Sequence, residues 1–202
     1  MKRIALACSL LAFSTAAQAE GLPVTENAVF TFNGQEITIS RASTVEQSTI
    51  SALTQTSATC TSPCLSPMTV ASDVPTIGEL DVLDFLSTSV ESGDGLLVDA
   101  RLPQDRAQGY IPASVNIPTT TLSPNNPYRD EILVALGAEQ FQGIFNFNNA
   151  ISLVVFDAGP ATQDAPALIL DLLAVGYPPQ KIAYYRGGML VWTTLGLTTA
   201  TQ

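Results

Sequence analysis

Asp157 stands where the apolar run 151–156 gives way to a short polar stretch, Ala158, Gly159, Pro160, Ala161, Thr162, Gln163 and Asp164, ahead of a helical run over 165–175. A strand, a tight loop and a helix in that order can hold an attacking group, because loop N–H groups and a helix amino end stabilise negative charge. Here the position carries a carboxylate. Two carboxylates in one loop, Asp157 and Asp164, could be split in pKa for acid–base work. Asp164 followed by Ala165 and Pro166 equally fits a helix N-cap, and Asp157 a loop or helix cap. Ser-His-Asp and Cys-His schemes fail because the chain has no histidine. Cys60 and Cys64, spaced C-x-x-x-C, are the other reactive pair. In an oxidising compartment they close a local disulfide, with a redox dithiol as the alternative. A zinc site lacks ligands, and no P-loop, dinucleotide fingerprint or EF-hand pattern occurs, so neither metal nor cofactor is expected.

The elements that must position these residues follow from the pattern. Residues 1–19 have a basic start at Lys2 and Arg3, an apolar run to Phe13 and small residues at Ala17 and Ala19. This is the anatomy of a cleaved signal peptide, too short in its apolar run to cross a bilayer, and it predicts a periplasmic protein. Residues 20–75 form an N-terminal extension. Two alternating runs around Asn33-Gly34 predict a β-hairpin over 28–41, followed by a Ser, Thr and Pro-rich linker holding the two cysteines. A core domain spans 76–202. Thr76 and Glu79 read as a capping box opening a helix whose apolar stripe is Leu80, Leu83 and Leu86. Strands at 95–99, 114–117, 151–156 and 181–185 alternate with helices at 128–136, 165–175 and 188–196, the pattern of a parallel α/β sheet flanked by helices. The stretch 141–149 reads as an exposed connection.

Charge narrows the partners. The chain carries 8 basic and 18 acidic residues; losing Lys2 and Arg3 with the leader leaves six against 18, a net charge of −12. Such a field disfavours nucleic acid and anionic membrane surfaces. No later stretch would insert into a membrane, so the expected partner is a protein or small molecule in the periplasm.

The stretches "LLVDARLPQDRAQGYIPASVNIP" and "YYRGGMLVWTTLGL" resemble the opening and closing signatures of rhodanese-like domains. The resemblance covers about 76–199, and the cysteine segment resembles that of an exported, single-domain branch. It implies an α/β sheet domain and, in active members, transfer of sulfane sulfur through a cysteine thiolate. This chain departs from the pattern at the decisive point: Asp157 stands at the family's catalytic cysteine, Thr162 where the exported branch has a second one, and Tyr110 where a histidine is usual. A carboxylate has no comparable affinity for sulfur. The resemblance therefore implies a domain that has lost sulfur transfer, with Asp157 occupying the anion cradle, and that serves as a binding or partner-interaction module. The alternative is a sulfurtransferase or thiol–disulfide protein working through Cys60 and Cys64. Arg101 and Arg186 are the candidates to approach the loop, either pairing with Asp157 or holding an acidic ligand.

Overall fold

A computed structural model describes residues 27–41, 47–54 and 64–201. The signal segment 1–19 and Cys60 lie outside these residues. Asn33 and Gly34, with φ of 51° and 76°, make the turn joining β1 (Asn27–Phe32) to β2 (Gln35–Ser40), as the Asn-Gly signal predicts.

The centre is a four-stranded parallel sheet in the order β4 (Ser114–Asn116), β3 (Gly95–Asp99), β7 (Ser152–Phe156), β8 (Ile182–Tyr185). Thr76 bridges Tyr184 in parallel, extending the β8 edge. The two central strands are nearly continuous apolar runs because both faces are covered. Alternation sends Val98, Leu153 and Val155 to one side, against α4 (Arg129–Ala135) and α5 (Asp164–Ala174). Leu97, Val154 and Phe156 face the other, against α2 (Glu79–Phe85), the π-helical turn Leu86–Val90 that continues it, and α6 (Gly188–Thr194). The hairpin closes this second layer by inserting Phe30 and Ile39, both almost fully buried. Helix α1 (Gln47–Thr54) packs against α6, and α3 (Pro103–Arg106) follows β3.

Three expectations need correction. The first core helix is capped two residues later than Thr76: Gly78 is its N-cap, and its N–H donates to the Asp81 carboxylate at 2.9 Å. Thr76 is held instead in the edge bridge, its hydroxyl donating to Met68 O. Of the expected stripe, Leu86 is buried and Leu83 packs half-buried on the same layer, but Leu80 is exposed, because Val82, Leu86 and Val90, four residues apart, form the row that meets the sheet. The stretch 141–149 is partly ordered as strands: β5 (Glu139–Phe141) and β6 (Ile144–Asn146) form a second hairpin, turned by Gln142 and Gly143 at positive φ.

Because Phe30 and Ile39 fill the core, Ile39→Ala should cost about 2–5 kcal/mol, read by denaturant unfolding, whereas Glu36→Ala on the exposed face should change stability by less than about 0.5 kcal/mol. Equal small effects would mean that the hairpin is a dispensable appendage.

Candidate functional site

The loop between β7 and α5 is built around the Asp157 carboxylate, which has no solvent exposure. Oδ1 accepts the Gly159 N–H at 2.9 Å, and Oδ2 reaches across the loop to accept the Ala165 N–H at 3.0 Å, in the first turn of α5. Asp157 therefore caps that helix from eight residues away. Asp164, expected as the N-cap, is the first helical residue, and Gln163 holds the cap position. The side chain that fills the loop also satisfies the orphan donor.

Neighbours hold the loop from three directions. The Asp157 carbonyl accepts the Met189 N–H at 3.0 Å and the Ala158 carbonyl accepts the Leu190 N–H at 2.9 Å, seating the loop on α6. That approach demands glycine at 188: its φ is +56°, and a Cβ there would lie 2.4 Å from the Asp157 carbonyl oxygen. Within the loop, Thr162 closes a turn by donating N–H and hydroxyl to Gly159 O, at 3.0 and 2.9 Å. On the outside lies Ser66, which donates its N–H to Pro160 O at 2.7 Å and its hydroxyl to Thr162 O, and accepts from Gln163 Nε2 at 3.0 Å. Ser66 was not among the candidates, since nothing in "CLSPM" indicates which backbone it will meet. Cys64, two residues before it, is disulfide-bonded.

Neither candidate arginine pairs with Asp157. Arg101 is buried and gives Nε and Nη2 to Asp99 at 2.9 and 2.7 Å, Nη2 also to Gly109 O and Nη1 to Asp105 O. Arg106 joins the same carboxylate at 3.3 Å, binds Ser114 and lies 3.9 Å from the Tyr110 ring centroid. Arg186 donates Nε to Ser66 O at 3.1 Å. The first signature's aspartate thus serves as a structural knot. Arg101 does reach the site in another way: with Asp105, Ala158, Thr162, Asp164 and Thr193 it lines a cavity of about 320 Å³ at the mouth of the loop, roofed by α1. Asp157 is not part of that wall, and Ser48 and Thr49 of α1 are wall residues that no sequence motif marks.

A family model described as the Rhodanese-like domain matches residues 83–195. The chain belongs to the rhodanese-like family. Solved structures to which the chain is similar include a protein of unknown function from Rhodopseudomonas palustris CGA009, described as a possible tyrosine phosphatase (20% identity, TM-score 0.47, 65% of this chain and 88% of that one). Others are the rhodanese-like domain of an Anabaena sp. protein (18%, 0.43, 63% and 80%) and a thiosulfate sulfurtransferase from Pseudomonas aeruginosa (19%, 0.43, 63% and 20%). No curated protein matches the sequence.

In this rhodanese-like domain burial pushes the Asp157 carboxyl up to about 6, against the opposing pull of the Ala165 and Gly159 N–H bonds and the nearby Thr162 hydroxyl; Asp164 adds repulsion. The folded form thus holds this proton more tightly than the unfolded chain, so the stability it contributes is full below about pH 4 and is lost as pH rises through about 6. Relative to Asp157→Asn, which cannot ionise, wild type should lose about 3 kcal/mol of stability between pH 4 and pH 8, measured by denaturant unfolding at each pH. Parallel profiles for the two proteins would refute the assignment.

Proposed function

We propose that this rhodanese-like protein is exported, does not transfer sulfur through its active-site loop, and acts as a binding module whose ligand enters the cavity beside that loop. One observation carries the reading: in the loop after β7, where the resemblance puts the family's nucleophile, Asp157 is a fully buried carboxylate with both oxygens bonded to the protein's own backbone. Sulfur transfer needs a thiolate that attacks a sulfane sulfur and is held by N–H donors while persulfidic. Asp157 takes two such donors for itself. Acid–base work through Asp157 is disfavoured because both its oxygens already accept backbone N–H groups. The cavity in front of the loop persists, walled by Ala158, Thr162 and Asp164.

Export is supported by the leader pattern of residues 1–19. In an oxidising compartment such as the periplasm, Cys64 would be joined to Cys60 in a loop too small to add much chain-entropy stabilisation. Its proposed role is to shape the segment that delivers Ser66 to the loop. A protein partner that docks over the same mouth is compatible with this function; nucleic acid is disfavoured by the acidic charge.

The test is sulfur transfer from thiosulfate to cyanide by the purified chain lacking 1–19, beside an Asp157→Cys variant. Wild type should show no turnover above the blank, and the variant should gain the mass of one sulfur atom on incubation with thiosulfate, because its thiolate inherits the Gly159 and Ala165 donors. Turnover by wild type that disappears when Cys60 and Cys64 are replaced by Ser would overturn the proposal in favour of chemistry at that pair.

A further inference from the structure

The strap that crosses the outside of the loop presents two apolar side chains to solvent. Ser66 is buried, while Leu65 and Met68 on either side of it are 64% and 63% exposed. Their backbone is held at several points. Cys64 is disulfide-bonded, Ser66 donates its N–H to Pro160 O and its hydroxyl to Thr162 O, and the Thr76 hydroxyl donates to Met68 O. Further along, Val70 and Ala71 pack against the core and Val74 is buried in it. The strap is thus ordered before any partner arrives, which lowers the entropy lost on binding.

Arg186 supplies the chemistry of what would cover them. Its Nε donates to Ser66 O at 3.1 Å, so the guanidinium lies against the backbone that carries Leu65 and Met68. Its Nη1 and Nη2 make no hydrogen bond or ion pair among the described residues, and neither is an orphan shut off from solvent. Arg101 and Arg106, by contrast, are paired with Asp99, and Arg129 with Asp130. The chain has 18 acidic residues, yet among the described ones none reaches this half-buried cation. A guanidinium fixed at Nε with both Nη groups accessible is suited to take a carboxylate through two parallel bonds. At long range the net negative charge of the chain opposes an acid-rich partner. The fit is therefore to a single carboxylate set among apolar side chains.

We propose that Leu65, Met68 and Arg186 form a docking surface for an apolar segment of a partner protein, one Asp or Glu carboxylate of which is held by Arg186 Nη1 and Nη2. None of these three residues lines the cavity at the loop mouth, so this is a second surface, independent of any ligand there.

The test pans a random peptide library displayed on phage against the chain lacking 1–19, then titrates the most enriched peptide into that chain carrying carbon-13 in its methionine methyl groups. Two methionines remain, Met68 on the strap and Met189 buried on the cavity wall, so each surface has its own NMR signal. Enriched peptides should carry Asp or Glu among apolar residues, and titration should shift the Met68 signal while Met189 stays in place. Arg186→Gln should weaken the peptide at least tenfold, as should exchanging the peptide's acidic residue for its amide. Lys181→Gln, which removes a cation at the other end of β8, should leave binding unchanged. Because Arg186→Gln also removes the bond to Ser66, Met68→Asp is the second variant. It leaves that bond in place and should repel the peptide's carboxylate, weakening binding at least tenfold at an unchanged thermal midpoint. Absence of enrichment, enriched peptides without an acidic residue, or equal binding by Arg186→Gln overturns the proposal. A shift of Met189 in place of Met68 also overturns it and assigns the peptide to the cavity.

Discussion

The loop at the carboxyl end of β7 depends on one buried carboxylate reaching two backbone donors. Asp157 must shed its water to enter the interior, and the Gly159 and Ala165 N–H groups only partly offset that cost. They nevertheless fix the loop's shape, because the two oxygens join its first turn to the start of α5. With the side chain turned inward, the Asp157 and Ala158 carbonyls face α6 and accept its first N–H groups. The helix comes this close only because position 188 has no Cβ. Loop, strand end and both helices are thereby locked in one arrangement.

A second knot sits one strand away. Asp99 accepts from both Arg101 and Arg106 with no solvent exposure, so two cations and one anion are buried together. Removing one partner from such a cluster leaves an uncompensated charge, which is why it serves geometry better than chemistry. The knot joins β3 to the turn after α3 and, through Ser114, to β4. It also withdraws positive charge from the cavity, leaving Asp105 and Asp164 to set its potential.

Much of this architecture is legible in the chain itself. Apolar runs bounded by Asp99 and Asp157 mark the two central strands, and Asn33-Gly34 marks the first hairpin. The family signatures locate the loop as well. What pattern reading misses are contacts between segments distant in sequence. Asp164 looks like a cap because Asp commonly is one, yet a carboxylate seven residues earlier already satisfies the helix's donor. Leu80 fits a helical stripe with Leu83 and Leu86 in isolation, but packing against the sheet selects the row of Val82, Leu86 and Val90. Ser66 and α1 lie in a segment with little periodicity, so their placement against the loop and its cavity follows from tertiary packing alone. In the hairpin of β5 and β6, Phe141 and Ile144 both point to solvent. That run carries no alternation to announce it.

The first hairpin is tied to the far end of the chain. Ser40 exchanges hydrogen bonds with Thr198, 158 residues away, and Arg41 bridges Leu197. Contacts of such separation form late, because the intervening chain must already be ordered before they repay the entropy of closing so large a loop. During synthesis these contacts of the hairpin must therefore wait for Leu197 and Thr198. Until α6 is made, Phe30 and Ile39 lack Met189 and Trp192, the part of their layer that this helix supplies.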